Sequence, residues 1–225
     1  MKDEDRPPVV AHQRFAADRA AFAGLGLAAR FERIEATNLW GARSVSGLGS
    51  EGEATRAVAA ALPGLLRRLG ARTLLDAPCG DAGWISALEL GVDYTGVDVV
   101  PSLIAANGAR GGTGTFAVAD ITRDDLPAAD VVLCRDCLVH LSFANIAAAL
   151  ARFRASGTTW LLTTTFPLLQ ANRDAEDGDW RPLNFALTPF GWPAPVELID
   201  EACTEAGGGW RDKSLGLWRL AALPI

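Results

Sequence analysis

Thr73-Leu-Leu-Asp-Ala-Pro-Cys-Gly-Asp-Ala-Gly83 is the stretch on which the reading of the whole chain turns. Its first four residues form the short apolar run of a buried strand, closed by Asp76. A turn bearing Pro78 and Gly80 follows at once, and a helix is expected over 84–90. Toward the C-terminus the rhythm repeats, with strands expected over 94–98, 114–119, 129–134 and 158–165. Pro101 suits the first turn of an intervening helix, and 142–155 reads as another helix, stopped by Gly157. Strand and helix in regular succession predict an α/β fold, a mostly parallel sheet with helices on both faces.

The flanks break that rhythm. Residues 166–192 are rich in Asn, Asp, Trp and Pro and show no period. Residues 195–206 read as a helix closed by glycines, and 210–223 as an antiparallel hairpin turning near 214–216, which brings the sheet to seven strands. On the other side, the chain through about Pro8 is expected to be disordered, and 10–34 has helical spacing. A polar stretch from Asn38 ends in a capping box, Ser50 with Glu53. The next helix carries Ala54, Val58, Ala61, Leu65 and Leu69 on one face, with Pro63 expected to kink or divide it. We therefore expect a helical segment and lid over 1–50 and a core over 51–225, with an insertion at about 166–192.

Composition limits the function classes. The 225 residues are 49% hydrophobic and carry 21 basic against 27 acidic groups, a net charge of −6 that argues against a broad nucleic-acid footprint. No apolar run is long enough to cross a bilayer, and the charged N-terminus is unlike a signal peptide, so the cytoplasm is the expected location. Cys79, Cys134, Cys137 and Cys203 read as reduced thiols, because the single CxxC pair has no second pair or histidine to complete a metal site. No catalytic metal is expected.

The chemistry lies at the strand ends. In an open α/β sheet, ligands bind beyond the carboxyl ends of the strands. Asp76, Asp98, Asp120 and the pair Arg135-Asp136 fall at four such ends. The turn through Ala77, Pro78, Cys79 and Gly80 lets backbone approach a ligand. Asp98, with Val99 beside it, lies about twenty residues past the first strand, where a carboxylate can accept both hydroxyl protons of a ribose. Asp120 can accept from an exocyclic amine, with the Ile121 amide donating to the same ring. Any one of these acids alone reads as a solvated loop carboxylate or a cap; the register of four carries the argument.

These residues resemble the motifs of class I, Rossmann-like S-adenosylmethionine-dependent methyltransferases. Leu74-Leu-Asp-Ala-Pro-Cys-Gly-Asp81 is similar to motif I, Val97-Asp98 to the ribose-binding acid, Ala119-Asp120-Ile121 to the adenine side, and Asp130-Val-Val-Leu-Cys-Arg135 to the strand-4 motif. More narrowly, the chain resembles small bacterial methyltransferases with Asp-Ala-Pro-Cys-Gly-Asp in this turn. That likeness extends over Asn38-Leu-Trp-Gly41, Trp180-Arg-Pro-Leu-Asn184 and Lys213-Ser-Leu-Gly-Leu-Trp218. The resemblance implies S-adenosyl-L-methionine as cofactor and S-adenosyl-L-homocysteine as product. It departs from Gly-x-Gly-x-Gly at Pro78 and Ala82. Because Pro78 lacks an amide donor, Trp40, Arg43 and the serines before Glu51 become candidates for holding the methionine end. Trp40 and Trp84 read equally well as core aromatics.

His140, one of two histidines, follows the fourth strand, four residues past Asp136; the pair is either a catalytic base with its partner or simple packing. His12 is expected to be solvated. Asn172, Asp174, Trp180, Arg181 and Asn184 in the irregular insertion are the expected acceptor-binding residues, with Arg181 either pairing an anionic acceptor or holding its own loop. The reading is methyl transfer to an oxygen or nitrogen of a small-molecule acceptor, with neither nucleic acid nor membrane as partner. The alternatives are an NAD(P)-dependent oxidoreductase, which the missing Gly-x-Gly-x-x-Gly disfavours, and a non-catalytic S-adenosylmethionine-binding protein.

Overall fold

A computed structural model describes Asp3 and residues 6–112 and 114–224. The elements are α1 (Val10–Asp18), α2 (Leu27–Ala36), α3 (Gly52–Leu69), β1 (Thr73–Asp76), β2 (Asp93–Asp98), α4 (Pro101–Ala109), β3 (Thr115–Val118), β4 (Val131–Cys134), α5 (Phe143–Ala155), β5 (Trp160–Thr165), β6 (Glu197–Asp200) and β7 (Ser214–Arg219). They form one seven-stranded sheet in the order β3-β2-β1-β4-β5-β7-β6. Only β7 runs against its neighbours, pairing antiparallel with both β5 and β6. The order reverses between β1 and β4, and the crevice beyond that reversal is where such sheets bind ligands.

Alternation within the strands builds a core on each face. Leu74, Val131, Leu133, Leu215 and Leu217 pack with Val58, Leu62, Leu65 and Leu66 of α3. Leu75, Val132, Leu161 and Trp218 point the other way, to Ile146, Leu150 and Phe153 of α5. Burying a side chain of this size contributes about 1.5–3 kcal/mol, so these two layers hold the sheet between helices. A smaller third cluster, Phe15, Phe22, Ile34 and Leu39, folds the N-terminal helices into a unit of their own.

Local chemistry sets the element ends. Pro101 occupies the first turn of α4. Ser142 accepts the Asn145 amide at the start of α5, and Gly70 closes α3 in the left-handed region at φ 63°.

Several expectations need correcting. Pro63 neither divides nor ends α3, because Leu62, Leu65 and Leu66 are anchored on the sheet. The buried stripe of that helix runs through Thr55, Val58, Leu62 and Leu65, so Ala54, Ala61 and Leu69 lie at its margin. Ser50 does not cap it; the N-cap is Glu51, without a side-chain bond. The expected helix at 84–90 is a single turn, Ile85–Ala87. The expected helix at 195–206 is β6 followed by a four-residue helical turn, Glu205–Gly208. The residues expected to turn at 214–216 lie inside β7, where pairing to β5 on one side and β6 on the other overrides the glycine. A Cβ on Gly216 would strike the Trp218 indole two residues on, so the strand tolerates glycine there because the indole fills its place. The N-terminus is also docked: Arg6 pairs with Asp212 at 2.6 Å, and Trp210 Nε1 donates to the Pro7 carbonyl. Of the residues expected to be disordered, 1, 2, 4 and 5 lie outside the described ones.

Candidate functional site

Beyond the ends of β1, β2, β3 and β4 the chain leaves a cleft with about 970 Å³ of space, solvent mouth included. Asp76, Pro78, Cys79, Gly80, Asp98, Val99, Asp120, Ile121 and Arg135 line it. Asp136, His140 and Trp40 line it too. Ala77 lies behind the wall, fully buried, its amide bonded to the Leu133 carbonyl.

The turn after β1 is built to come close to whatever sits there. Ala77-Pro78 is a cis peptide, and Gly80 adopts φ 53°. The Gly80 amide donates to Asp98 Oδ2 at 3.0 Å and its carbonyl accepts Asn107 Nδ2 at 2.8 Å. A Cβ at Gly80 would collide with Ser46 Oγ, which in turn accepts the Asp81 amide at 2.8 Å. Ser44 Oγ donates to Asp81 Oδ2 at 2.7 Å, so the polar stretch after α2 lies directly on this turn. Leu27, Phe31 and Ile34 of α2 continue the same roof.

The four acids differ in electrostatics. Burial raises the Asp76 carboxyl to about 7, against the Tyr94 hydroxyl that donates to it at 2.8 Å. Burial raises Asp98 to about 6, although the Val100 and Gly80 amides both donate to it. Burial would raise Asp120 as well, but hydrogen bonds from Thr122 and Arg123 hold it below the usual range. Asp136 is partly buried and is held well below the ordinary carboxylate value by Lys213 and Arg135. Lys213 Nζ donates to Asp136 Oδ2 at 2.5 Å and lies 3.3 Å from Glu201. Arg135 is committed to Glu201 at 2.6 Å and to the Gly49 carbonyl at 2.7 Å, so it faces the cleft as part of a wall network.

His140 is 6% exposed. Its Nδ1 lies 2.8 Å from the Asp179 carbonyl, which can only accept, so Nδ1 carries the proton and Nε2 the lone pair. Burial lowers the ring to about 4 while the Asp136 charge works in the opposite direction, so the imidazole is neutral at pH 7. The Trp40 ring packs against it, tilted by 31°, with centroids 4.7 Å apart.

A second cleft shares Trp40, Ser46, Asp136 and His140 with the first. Its other walls include Phe166, Trp180, Trp210, Glu205 and Lys213, with Val9 and Val10 from the N-terminal segment. Of the five residues expected at the acceptor, Trp180 alone lines it. Asn172 and Asn184 bond the insertion to itself, through the Asn184 carbonyl at 2.8 Å and the Pro167 and Leu169 carbonyls at 3.1 Å. Asp174 accepts the Phe143 amide at the start of α5. Arg181 donates to the Leu138 and Leu141 carbonyls, and its buried guanidinium is lowered to about 10 by desolvation. Arg181 thus ties the loop to the turn that carries His140, Asp174 ties it to α5, and the two asparagines shape the loop itself. His12 is not simply solvated: its Nδ1 lies 2.8 Å from Asp179 Oδ1.

Sequence reasoning missed Lys213, Glu201 and Glu205 as wall residues. One signal was present, because 213 is one of only two lysines in a chain that otherwise uses arginine. Lys213 and Arg135 both lie between the Asp136 and Glu201 carboxylates.

No protein-family profile matches the chain, and no curated protein matches it at a significant level. Among solved structures, human N-acetylserotonin methyltransferase in complex with S-adenosylmethionine superposes with a TM-score of 0.55, at 14% identity over 94% of this chain and 60% of that one. The methyltransferase domain of bacterial CtHen1 gives 0.54, at 14% identity over 73% and 97%. A sugar N-methyltransferase from Streptoalloteichus is 26% identical over 51% of this chain, with a TM-score of 0.43, and the match spans about half the length of that enzyme, 49%. The chain has the Rossmann-like fold of known methyltransferases.

Proposed function

We propose that the protein binds S-adenosyl-L-methionine in the first cleft and directs its methyl group to an oxygen or nitrogen of a small molecule in the second. The observation that carries this is the junction: Asp136 and His140 form the wall common to both clefts. The first cleft fits the cofactor by its donor set. Asp98 would hold the ribose, Ile121 and the Asp120 turn the adenine, and the Gly80 turn with Trp40 the methionine end. Trp40 Nε1 is buried without a hydrogen-bond partner among the described residues, a donor left for a ligand. When bound, the cofactor supplies a methyl carbon on a sulfonium, already activated for displacement.

The chain's own residues then have little covalent work. Walls that fix both reactants in line supply most of the acceleration. His140 Nε2 takes a proton from the acceptor, and the nearby Asp136 carboxylate stabilises the imidazolium that forms. The Asp179 carbonyl and the Trp40 ring hold the imidazole in place. Roofing of both clefts by the N-terminal segment excludes water.

The test is transfer of a labelled methyl group from S-adenosylmethionine to members of a small-molecule panel. The native protein labels an acceptor. His140→Ala loses about 10²- to 10⁴-fold in rate while S-adenosylhomocysteine affinity is unchanged. Binding of the cofactor without transfer to any acceptor would contradict the enzyme reading and leave a non-catalytic binding protein.

A further inference from the structure

The second cleft does not end at its aromatic wall. It shares Leu48, Gly49, Glu205 and Lys213 with a third cavity, a groove between the first half of α3 and the turn after β6. The two cavities thus adjoin beside α3, with Glu205 on the walls of both.

Charge along this passage is unevenly matched. Lys213 and Arg135 are engaged by Asp136 and Glu201. The Glu205 carboxylate has no hydrogen bond and no ion pair among the described residues, although it is half-buried and lines both cavities. Trp40, Trp180, Trp210 and Phe166 line the same cleft as Glu205. Indole faces attract cations, and Trp210 already carries the Arg6 guanidinium 5.0 Å from its centroid. An anionic acceptor would meet a carboxylate that no ion pair neutralises, and a neutral alcohol would leave that carboxylate without a charged partner.

Resting on the methyltransferase reading, we infer that the acceptor is a cationic amine that enters along α3, its ammonium paired with Glu205 and its apolar part against the tryptophans. Before transfer the ammonium releases one proton to water, and His140 Nε2 accepts a hydrogen bond from an N–H that remains. The freed nitrogen lone pair forms the new N–C bond as the C–S bond breaks, its electron pair passing to sulfur. The product is an N-methylammonium and a thioether.

The experiment uses the full chain saturated with S-adenosylhomocysteine, titrated calorimetrically with 2-phenylethylamine, 2-phenylethanol and 3-phenylpropanoate. The amine is expected to bind and the other two not. Glu205→Gln should weaken amine binding about tenfold, the loss of one charge-assisted contact, and Glu205→Asp should retain most of it. Both variants should hold S-adenosylhomocysteine as the native chain does, which shows that they are folded. With labelled S-adenosylmethionine, KM for the amine should rise in Glu205→Gln while kcat changes little. Binding of the alcohol or carboxylate at least as tight as the amine, an unchanged amine affinity in Glu205→Gln, or no binding of any of the three would each overturn the inference. Failure of S-adenosylhomocysteine to bind would instead overturn the methyltransferase reading itself.

Discussion

Asp76 illustrates how position converts an ordinary side chain into a titrating one. It is 4% exposed and its carboxyl is raised to about 7 by burial. An unfolded aspartate titrates near 3.9, so between about pH 4 and 7 the folded chain holds a proton that the unfolded chain has lost. That contribution is complete below about pH 4 and lost as pH rises through 7. Asp76→Asn should therefore stabilise the ligand-free protein, by up to about 4 kcal/mol at pH 7.5 and by less at pH 5. Urea unfolding at the two pH values checks this; an equal effect at both would contradict it. Gly80 is the reverse case, legible as a turn glycine but not as one lying under Ser46. Gly80→Ala should loosen the segment around Ser46, costing about 1–2 kcal/mol and weakening S-adenosylhomocysteine binding. The roles of Asn172, Asp174 and Asn184 could not be read from sequence, because their partners are backbone groups brought near by the path of the loop; for Arg181 the loop-holding alternative was legible, but not its partners, the Leu138 and Leu141 carbonyls. Asp120 was visible as a strand-end acid, yet both its oxygens are already engaged by Thr122 and Arg123. Nothing in the local sequence announces that.

Among the elements, β1 to β5 were legible because each is a short apolar run at a regular interval. The β6–β7 pair was not. β6 is four residues long, begins and ends in acids, and leaves Leu198 45% exposed, so its identity comes from pairing with β7. The insertion at 166–192 was legible as irregular, and the structure gives it definite mechanical duties. Asp177 accepts the Ser142 amide and Asn145 Nδ2, Gly178 donates to the His140 carbonyl, and Arg181 holds the carbonyls on either side of Val139 and His140. Arg181→Ala should cost about 3 kcal/mol by orphaning buried carbonyls, and should lower turnover more than cofactor affinity. The N-terminal segment is tied down at its far end by Arg6, whose side chain is 2% exposed against an Asp212 of 6%. Breaking a buried pair by removing one partner costs about 3–5 kcal/mol. Arg6→Ala should therefore lower the urea midpoint markedly, and an unchanged midpoint would show that the segment contributes little to the fold.

Over the whole molecule, one gradient of charge organises the clefts. Glu35, Asp98, Asp120 and Asp136 line the first cleft together with Arg135, an acidic setting that favours a cationic sulfonium over the neutral thioether left after transfer. The chain's net charge of −6 is thus partly a property of the site. The central claim is that this cleft holds S-adenosylmethionine by an acid-lined adenosine site. Calorimetric titration with S-adenosylhomocysteine tests it most directly, with Asp98→Ala and an NADH titration beside it. The account predicts micromolar binding by the native chain, loss of at least about tenfold in Asp98→Ala, and no binding of NADH. Binding of NADH in place of S-adenosylhomocysteine, or an Asp98→Ala variant that binds as tightly as the native protein, would contradict it.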